Sequence, residues 1–148
     1  MKKLFIYYSL TGNGDLIAEN LKSKGVTIRK VRTEKKFPKN KVLQILKGGF
    51  LAGINSKAKL KDFDSNIKGY DEIIIGSPIW NGRLSTPINT VLDELDLSKK
   101  KVTFILYSGS GQAPKAVDKI TTLYPDAKII CKREPKNNKD LDKTLKIV

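Results

Sequence analysis

Short runs of apolar and β-branched residues recur along the chain, separated by longer segments in which apolar and polar residues mix. These runs predict five strands, at residues 3–8, 26–31, 72–76, 102–107 and 127–131. The runs EIIIG and VTFILY show little polar alternation, which is typical of strands that are covered on both faces.

Between the strands, apolar residues recur at spacings of three and four, which gives a helix one buried face. This pattern predicts helices at residues 13–24, 86–95 and 112–123, and weaker patterns predict two more at 41–50 and 138–147. Strand and helix alternate, which favours a parallel sheet with helices on both faces. The 148 residues suit one domain, so we expect a single α/β domain over residues 1–148.

The cysteine and histidine content excludes several kinds of chemistry. Cys131 is the single cysteine, and the chain has no histidine. An internal disulfide, a Cys-x-x-Cys redox pair, serine–histidine catalysis and histidine-bound metals are therefore excluded. We expect no catalytic side chain and no metal site, so any reactivity has to come from a bound cofactor.

The net charge of +14 is concentrated in one segment. Residues 24–61 contain twelve lysines and arginines and one acidic residue, Glu34. Such a segment indicates binding to nucleic acid, to anionic lipid or to an acidic protein, but it is equally typical of a solvated lysine-rich surface.

The apolar runs are too short for membrane insertion. The longest one outside the strands, residues 42–54, is interrupted by Lys47 and three glycines. The apolar run at residues 4–8 is shorter than the core of a signal peptide, so we interpret it as a strand and expect a cytoplasmic protein.

In a parallel α/β sheet, ligands bind beyond the carboxyl ends of the strands. The first strand is followed by SLTGNG, in which Ser9 and Thr11 offer hydroxyl groups and two glycines allow close approach of backbone N–H groups. A helix N-terminus follows, so the loop has the elements of a phosphate site, although it is neither a Walker loop nor a GxGxxG motif. The alternative is a simple helix cap made by Thr11 or Asn13.

The third and fourth strands are also followed by unusual segments. GSPIWNGRLSTP predicts an irregular loop carrying the only tryptophan, Trp80, which either stacks on a flat ligand or packs in the core. SGSGQAP has small side chains and either allows a ligand close to its backbone or forms a glycine-rich turn. Together, the three segments indicate a site for a phosphorylated planar molecule.

The motifs YYSLTGN and YDEIIIGSPIWNGRLSTPINTVLDE resemble the flavodoxin family, and the resemblance covers nearly the whole chain. It implies a flavodoxin-like three-layer α/β sandwich, with a five-stranded parallel sheet in the order 2-1-3-4-5. It also implies that FMN binds at the switch point, where the strand order reverses. By resemblance, the first loop holds the FMN phosphate, the second lines the isoalloxazine ring and the third closes its other side. The residues implied are Ser9, Leu10, Thr11, Gly12, Asn13, Gly14, Pro78, Ile79, Trp80, Asn81, Gly82, Ser108, Gly109, Ser110 and Gly111.

Three features differ from the family pattern. Gly14 stands where the family usually has a hydroxyl residue, and the carboxylate of Asp15 after it can compete with phosphate for the same N–H groups. The loop at residues 108–111 lacks the aromatic residue of many electron carriers. Finally, those carriers are typically acidic, whereas this chain is basic.

We therefore expect an FMN-binding redox protein that transfers electrons and whose partner is an acidic redox protein rather than nucleic acid. An NAD(P)H-dependent FMN or quinone reductase is the first alternative, because the open third loop leaves room for a substrate on the flavin. The second alternative is a flavin-free domain that uses its basic segment for binding. The oligomeric state does not follow from the sequence.

Overall fold

The computed structural model describes residues 1–37 and 57–135. Nine elements are defined in this part of the chain. The strands are β1 (Lys3–Tyr7), β2 (Thr27–Lys30), β3 (Glu72–Trp80), β4 (Arg83–Leu84), β5 (Lys101–Ser108) and β6 (Lys128–Arg133). The helices are α1 (Asn13–Ser23), α2 (Thr86–Glu94) and α3 (Pro114–Leu123).

Five of the strands form a parallel sheet in the order β2-β1-β3-β5-β6. In the register of the sheet, Phe5 of β1 lies between Ile28 of β2 and Ile74 of β3. Counted as parallel strands only, this is the order 2-1-3-4-5, so the expected α/β fold is confirmed. The sheet has one strand more than expected, because the short β4 pairs with β3 in the antiparallel direction.

Alternate residues of β1 belong to two separate hydrophobic cores, one on each face of the sheet. Leu4 and Ile6 belong to the cluster that packs against α2 and α3. Phe5 and Tyr7 belong to the cluster that packs against α1. The helices therefore cover both faces, and the central strand β3 is buried at all nine positions, of which the apolar run EIIIG predicts the first five.

The sequence pattern places the elements close to their observed bounds, with one clear exception. The third strand continues to Trp80 instead of ending at Gly76. The apolar run EIIIG ends at Gly76, and the residues after it predict an irregular loop. Proline at position 78 also cannot donate a ladder hydrogen bond, which a central strand normally needs. Pairing with β1 stops at Gly76, however, so β3 has no parallel neighbour on that side at Pro78. The helices expected at 41–50 and 138–147 lie outside the described residues.

Within residues 1–37 and 57–135, no helix is long and apolar enough to cross a membrane.

Candidate functional site

The three predicted segments meet at the carboxyl edge of the sheet. The Tyr8 N–H donates to the carbonyl oxygen of Gly76 at 3.1 Å, which joins the end of β1 to β3. On the other side, Pro78 pairs with Tyr107 near the end of β5. The Tyr107 hydroxyl donates to the Tyr8 carbonyl oxygen, so the starts of the first and third loops are in direct contact.

The first loop turns sharply into α1. Gly12 is the N-cap residue, and its φ of 97° lies in the left-handed region that glycine adopts without strain. Because Gly12 has no side chain, the oxygen that accepts a first-turn N–H comes from elsewhere: the Gly14 N–H donates to Ser9 Oγ at 3.1 Å. Asn13 Nδ2 donates to Thr11 Oγ1 at 3.4 Å, which links the two residues at the outer side of the loop.

The carboxylate of Asp15, in the first turn of α1, is paired with side chains of β1 and β2. It accepts hydrogen bonds from Tyr7 Oη and from Lys30 Nζ, each at 2.7 Å, on β1 and β2. Burial alone would raise the pKa of Asp15, but the hydrogen bonds from Lys30, Tyr7 and Ser9 outweigh it and lower the pKa. The negative charge is therefore paired with Lys30, which reduces its competition with an anion at the loop.

Two tyrosines support the first loop from below. A Cβ atom on Gly14 would lie 2.6 Å from Tyr107 Oη and 2.8 Å from Tyr7 Cδ2, so only glycine fits there without movement. Burial raises the pKa of both Tyr7 and Tyr107, which keeps their hydroxyl groups protonated as hydrogen-bond donors. The start of α1 thus packs against two uncharged tyrosine side chains whose hydroxyl groups are hydrogen-bonded.

The second segment is a hairpin and not an irregular loop. Asn81 and Gly82 both have positive φ values, 52° and 75°, as in the two-residue type I′ turns that Asn-Gly favours. On either side, Trp80 pairs with Arg83 and Ile79 with Leu84. The prediction of an irregular loop is therefore wrong for this part of the chain.

The indole ring of Trp80 lies inside the core, which is the alternative considered for it. Its exposed fraction is 0%, and it makes edge-on contacts with Tyr8, at 6.0 Å between ring centroids, and with Phe37, at 5.3 Å. In this arrangement, the ring has no exposed face for stacking. Contact of Trp80 with a flavin ring stays a prediction. It would have to involve the backbone of Trp80, or the indole ring would have to become exposed.

A pair of buried serines holds the hairpin against α2. Ser77 Oγ lies 3.0 Å from Ser85 Oγ and accepts the Ser85 N–H at 3.1 Å. Both residues are 0% exposed, and Ser85 is the N-cap of α2. This contact joins the two ends of the segment and so sets the position of the Asn81–Gly82 turn between them.

The third loop uses its hydroxyl groups internally. Ser108 Oγ and Ser110 Oγ both donate to the Gln112 carbonyl oxygen, at 3.1 and 3.3 Å. Gly111 has a φ of 76°, and a Cβ atom there would lie 3.2 Å from Cβ of Arg133. The loop is therefore a tight glycine-dependent turn with short side chains at the edge of the sheet.

The family model for flavodoxin matches residues 2–144. The chain belongs to the flavodoxin family. A search of curated proteins found no match.

Solved structures of flavodoxin-like proteins match over nearly the whole chain. A candidate flavoprotein from Bacteroides eggerthii is 22% identical, with a TM-score of 0.76 and coverage of 99% of this chain and 97% of that chain. A flavoprotein from Lactobacillus acidophilus, solved in complex with FMN, is 26% identical, with a TM-score of 0.65 and coverage of 97% and 98%. An azoreductase from Bacillus anthracis is 11% identical, with a TM-score of 0.51 and coverage of 99% and 94%, which shows the shared fold alone.

In this flavodoxin-family chain, the structure brings the three expected loops to one edge, and the FMN contacts expected of their side chains stay a prediction. Ser9 is tied to the helix start and Trp80 is buried. The supporting residues Tyr7, Tyr107 and Ser77 are not predicted as part of the site. All three lie in apolar strand runs, where the pattern indicates burial but not which hydroxyl group faces which loop. The dipeptide Asn81-Gly82 is the signal that could have indicated the hairpin.

Proposed function

We propose that this chain binds FMN at the three loops and acts as an electron-transferring redox protein. The observation that carries the proposal is the geometry of the first loop. The left-handed Gly12 opens α1 at the sheet edge, and the carboxylate of Asp15 is turned toward Lys30. A helix N-terminus with this shape, whose nearby carboxylate is paired with a lysine, is suited to a phosphate group.

The residues of the three loops fit the parts of FMN. The first-turn N–H groups of α1 and the Thr11 hydroxyl would bind the phosphate. The backbone of the Asn81–Gly82 turn and of residues 108–111 would border the ring, because short side chains let a flat ligand approach the main chain. FMN, when bound, takes up and releases one or two electrons, so the chain has to supply position and electrostatics but no acid, base or nucleophile.

An acidic redox protein is the partner that fits the charge. The chain carries +14, and opposite charges speed the encounter of two proteins at low salt. The single cysteine, which excludes an internal disulfide, fits a cytoplasmic location.

A reductase that takes electrons from NAD(P)H and passes them to a quinone or to free FMN is the second candidate. It is favoured by the third loop, in which residues 108–111 carry no aromatic side chain that could cover the flavin. Consumption of NADPH in the presence of a quinone distinguishes the candidates, because an electron carrier does not turn over with these two substrates alone.

The absorption spectrum of the purified protein, before and after addition of FMN, tests the proposal. We expect flavin bands that stay with the protein through gel filtration, and much weaker retention of riboflavin, which lacks the phosphate. Equal retention of the two flavins would contradict the phosphate site. A colourless protein that retains neither flavin would favour the flavin-free alternative, a basic domain with a binding role.

A further inference from the structure

A groove of about 380 Å³ lies between α3 and β4, the strand that follows the Asn81–Gly82 turn of the second segment. Its wall carries three cationic side chains, Arg83, Lys115 and Lys119, and one acidic side chain, Asp118. Within the described residues, none of these four takes part in an ion pair. The groove therefore carries three positive charges against the single carboxylate of Asp118.

Arg83 has a buried hydrogen-bond donor in the groove. Its Nε atom is buried, and no hydrogen-bond partner reaches it from the part of the chain that the structure describes. Pairing with Trp80 in the hairpin fixes the backbone of Arg83, and the Ala116 N–H donates to the Gly82 carbonyl oxygen at 2.9 Å. A buried donor without an acceptor costs free energy, so its persistence at a fixed place points to an acceptor that arrives with a ligand.

Lys119 is positioned from the opposite side. Its Nζ donates to Asn89 Oδ1 of α2 at 3.0 Å, which leaves two further N–H donors. Burial lowers the pKa of Lys119; Asp93 opposes this effect, while Lys57 and Arg83 add to it. Positive charge in the groove thus acts against the charge on Lys119, and an anion would relieve this repulsion.

The rest of the groove is apolar. Leu84 and Ala116 form buried parts of the wall, and Leu123 lies at its end with 56% of its surface exposed. A bare inorganic ion would leave this apolar surface in contact with water. A ligand with an anionic group at one end and an apolar body at the other would cover both parts.

We propose that the groove between β4 and α3 binds a small organic phosphate, with the phosphate group at Arg83, Lys115 and Lys119 and the apolar part against Leu123. Three cationic side chains in one groove suit a dianionic phosphate better than a carboxylate, which has one charge and two oxygens. None of these residues is among those expected to contact FMN, although Arg83 lies in the second segment directly after Gly82.

NMR of the arginine Nε–Hε groups can test this site directly. The chain has four arginines, and Arg29, which pairs with Asp64 at 3.1 Å, serves as an internal reference. Phenyl phosphate, inorganic phosphate and benzoate are titrated in turn, at constant ionic strength. We expect a saturable shift of the Arg83 signal alone, with phenyl phosphate binding more tightly than inorganic phosphate or benzoate.

Matched lysine variants complete the experiment. Lys115→Gln removes an exposed charge from the groove, and Lys22→Gln removes an exposed charge from α1, on the other face of the sheet. We expect the first to weaken phenyl phosphate binding at least about threefold and the second to change it little, since one charge contact at a partly exposed site has this size. A linear, unsaturated Arg83 shift would overturn the proposal. If benzoate bound as tightly as phenyl phosphate, the choice of phosphate would be overturned. If inorganic phosphate bound as tightly as phenyl phosphate, the role of Leu123 would be overturned.

Discussion

Gly14 lies directly above the Tyr107 hydroxyl group, so that a Cβ atom on residue 14 would come within 2.6 Å of Tyr107 Oη. The space that a side chain at residue 14 would need is already filled by Tyr107 and Tyr7. The same hydroxyl donates to the Tyr8 carbonyl oxygen. The glycine and the buried tyrosine are therefore two parts of one arrangement that supports the first loop.

Gly14→Ala should destabilise the protein. Overpacking a filled site costs about 1–3 kcal/mol, and alanine regains about 1 kcal/mol through its higher helix propensity, which leaves a net loss of about 0–2 kcal/mol. We expect the upper end of this range, because the new Cβ atom would lie 2.6 and 2.8 Å from two tyrosine side chains. Urea unfolding of the flavin-free protein measures this. Gly109→Ala is the control, because a Cβ atom there would meet only Glu134 Oε1, at an ordinary 3.4 Å. An equal loss in both variants would show that the Tyr107 contact is not the cause.

Adding Tyr107→Phe should reduce the cost of Gly14→Ala. The phenylalanine removes the hydroxyl oxygen nearest to the new methyl group, although Tyr7 Cδ2 at 2.8 Å still restricts it. The loss in the double variant should therefore be smaller than the sum of the two single losses, as measured in a double-mutant cycle. Strict additivity would mean that the two residues do not compete for space.

Asp15→Asn should lower the stability at pH 7 more than at pH 3. The folded-state pKa of Asp15 lies below its unfolded value of about 4, so its contribution is present above that pH and is lost as the pH falls through the folded-state pKa. The effect should stay below about 1 kcal/mol, because the side chains of Lys30 and Asp15 are 42% and 39% exposed. Glu19→Gln, at an exposed position of the same helix, should show a smaller dependence on pH. A loss that is the same at both pH values would contradict the role of the ion pair.

The sequence predicts the parallel sheet and its helices well, because apolar periodicity depends mainly on which face of an element is buried. It predicts the end of β3 wrongly, because the apolar run ends at Gly76 whereas pairing with β5 and β4 extends the strand to Trp80. The location of the site follows from the chain order and from the family resemblance. The roles of Tyr7, Asp15 and Tyr107 do not, because they depend on hydrogen bonds between β1, β2, α1 and β5 that have no local signature.

Trp80→Phe should affect stability more than flavin binding. The indole is 0% exposed, and reducing a buried tryptophan should cost about 1–3 kcal/mol, less than the 3–5 kcal/mol typical of truncation to alanine. FMN affinity should change less than about threefold, because stacking on an exposed ring, worth about 0.5–1.5 kcal/mol, is not available to this side chain. Urea unfolding and a flavin titration measure the two effects separately. A large loss of FMN affinity would show that the ring becomes exposed and contacts the flavin.

Thr11→Val should weaken the binding of FMN and leave that of riboflavin unchanged. If the hydroxyl donates to the phosphate, its loss removes one charge-assisted hydrogen bond, about 1.5–3 kcal/mol, or roughly ten- to a hundredfold in the dissociation constant. Riboflavin has no phosphate, so it reports any general distortion of the site. Thr11→Ser should restore most of the FMN affinity, and Thr121→Val, at an exposed position of α3, should have no effect. An equal loss of affinity for both flavins would mean that Thr11 shapes the loop without contacting the phosphate. The proposed binding of the FMN phosphate would then depend on the first-turn N–H groups alone.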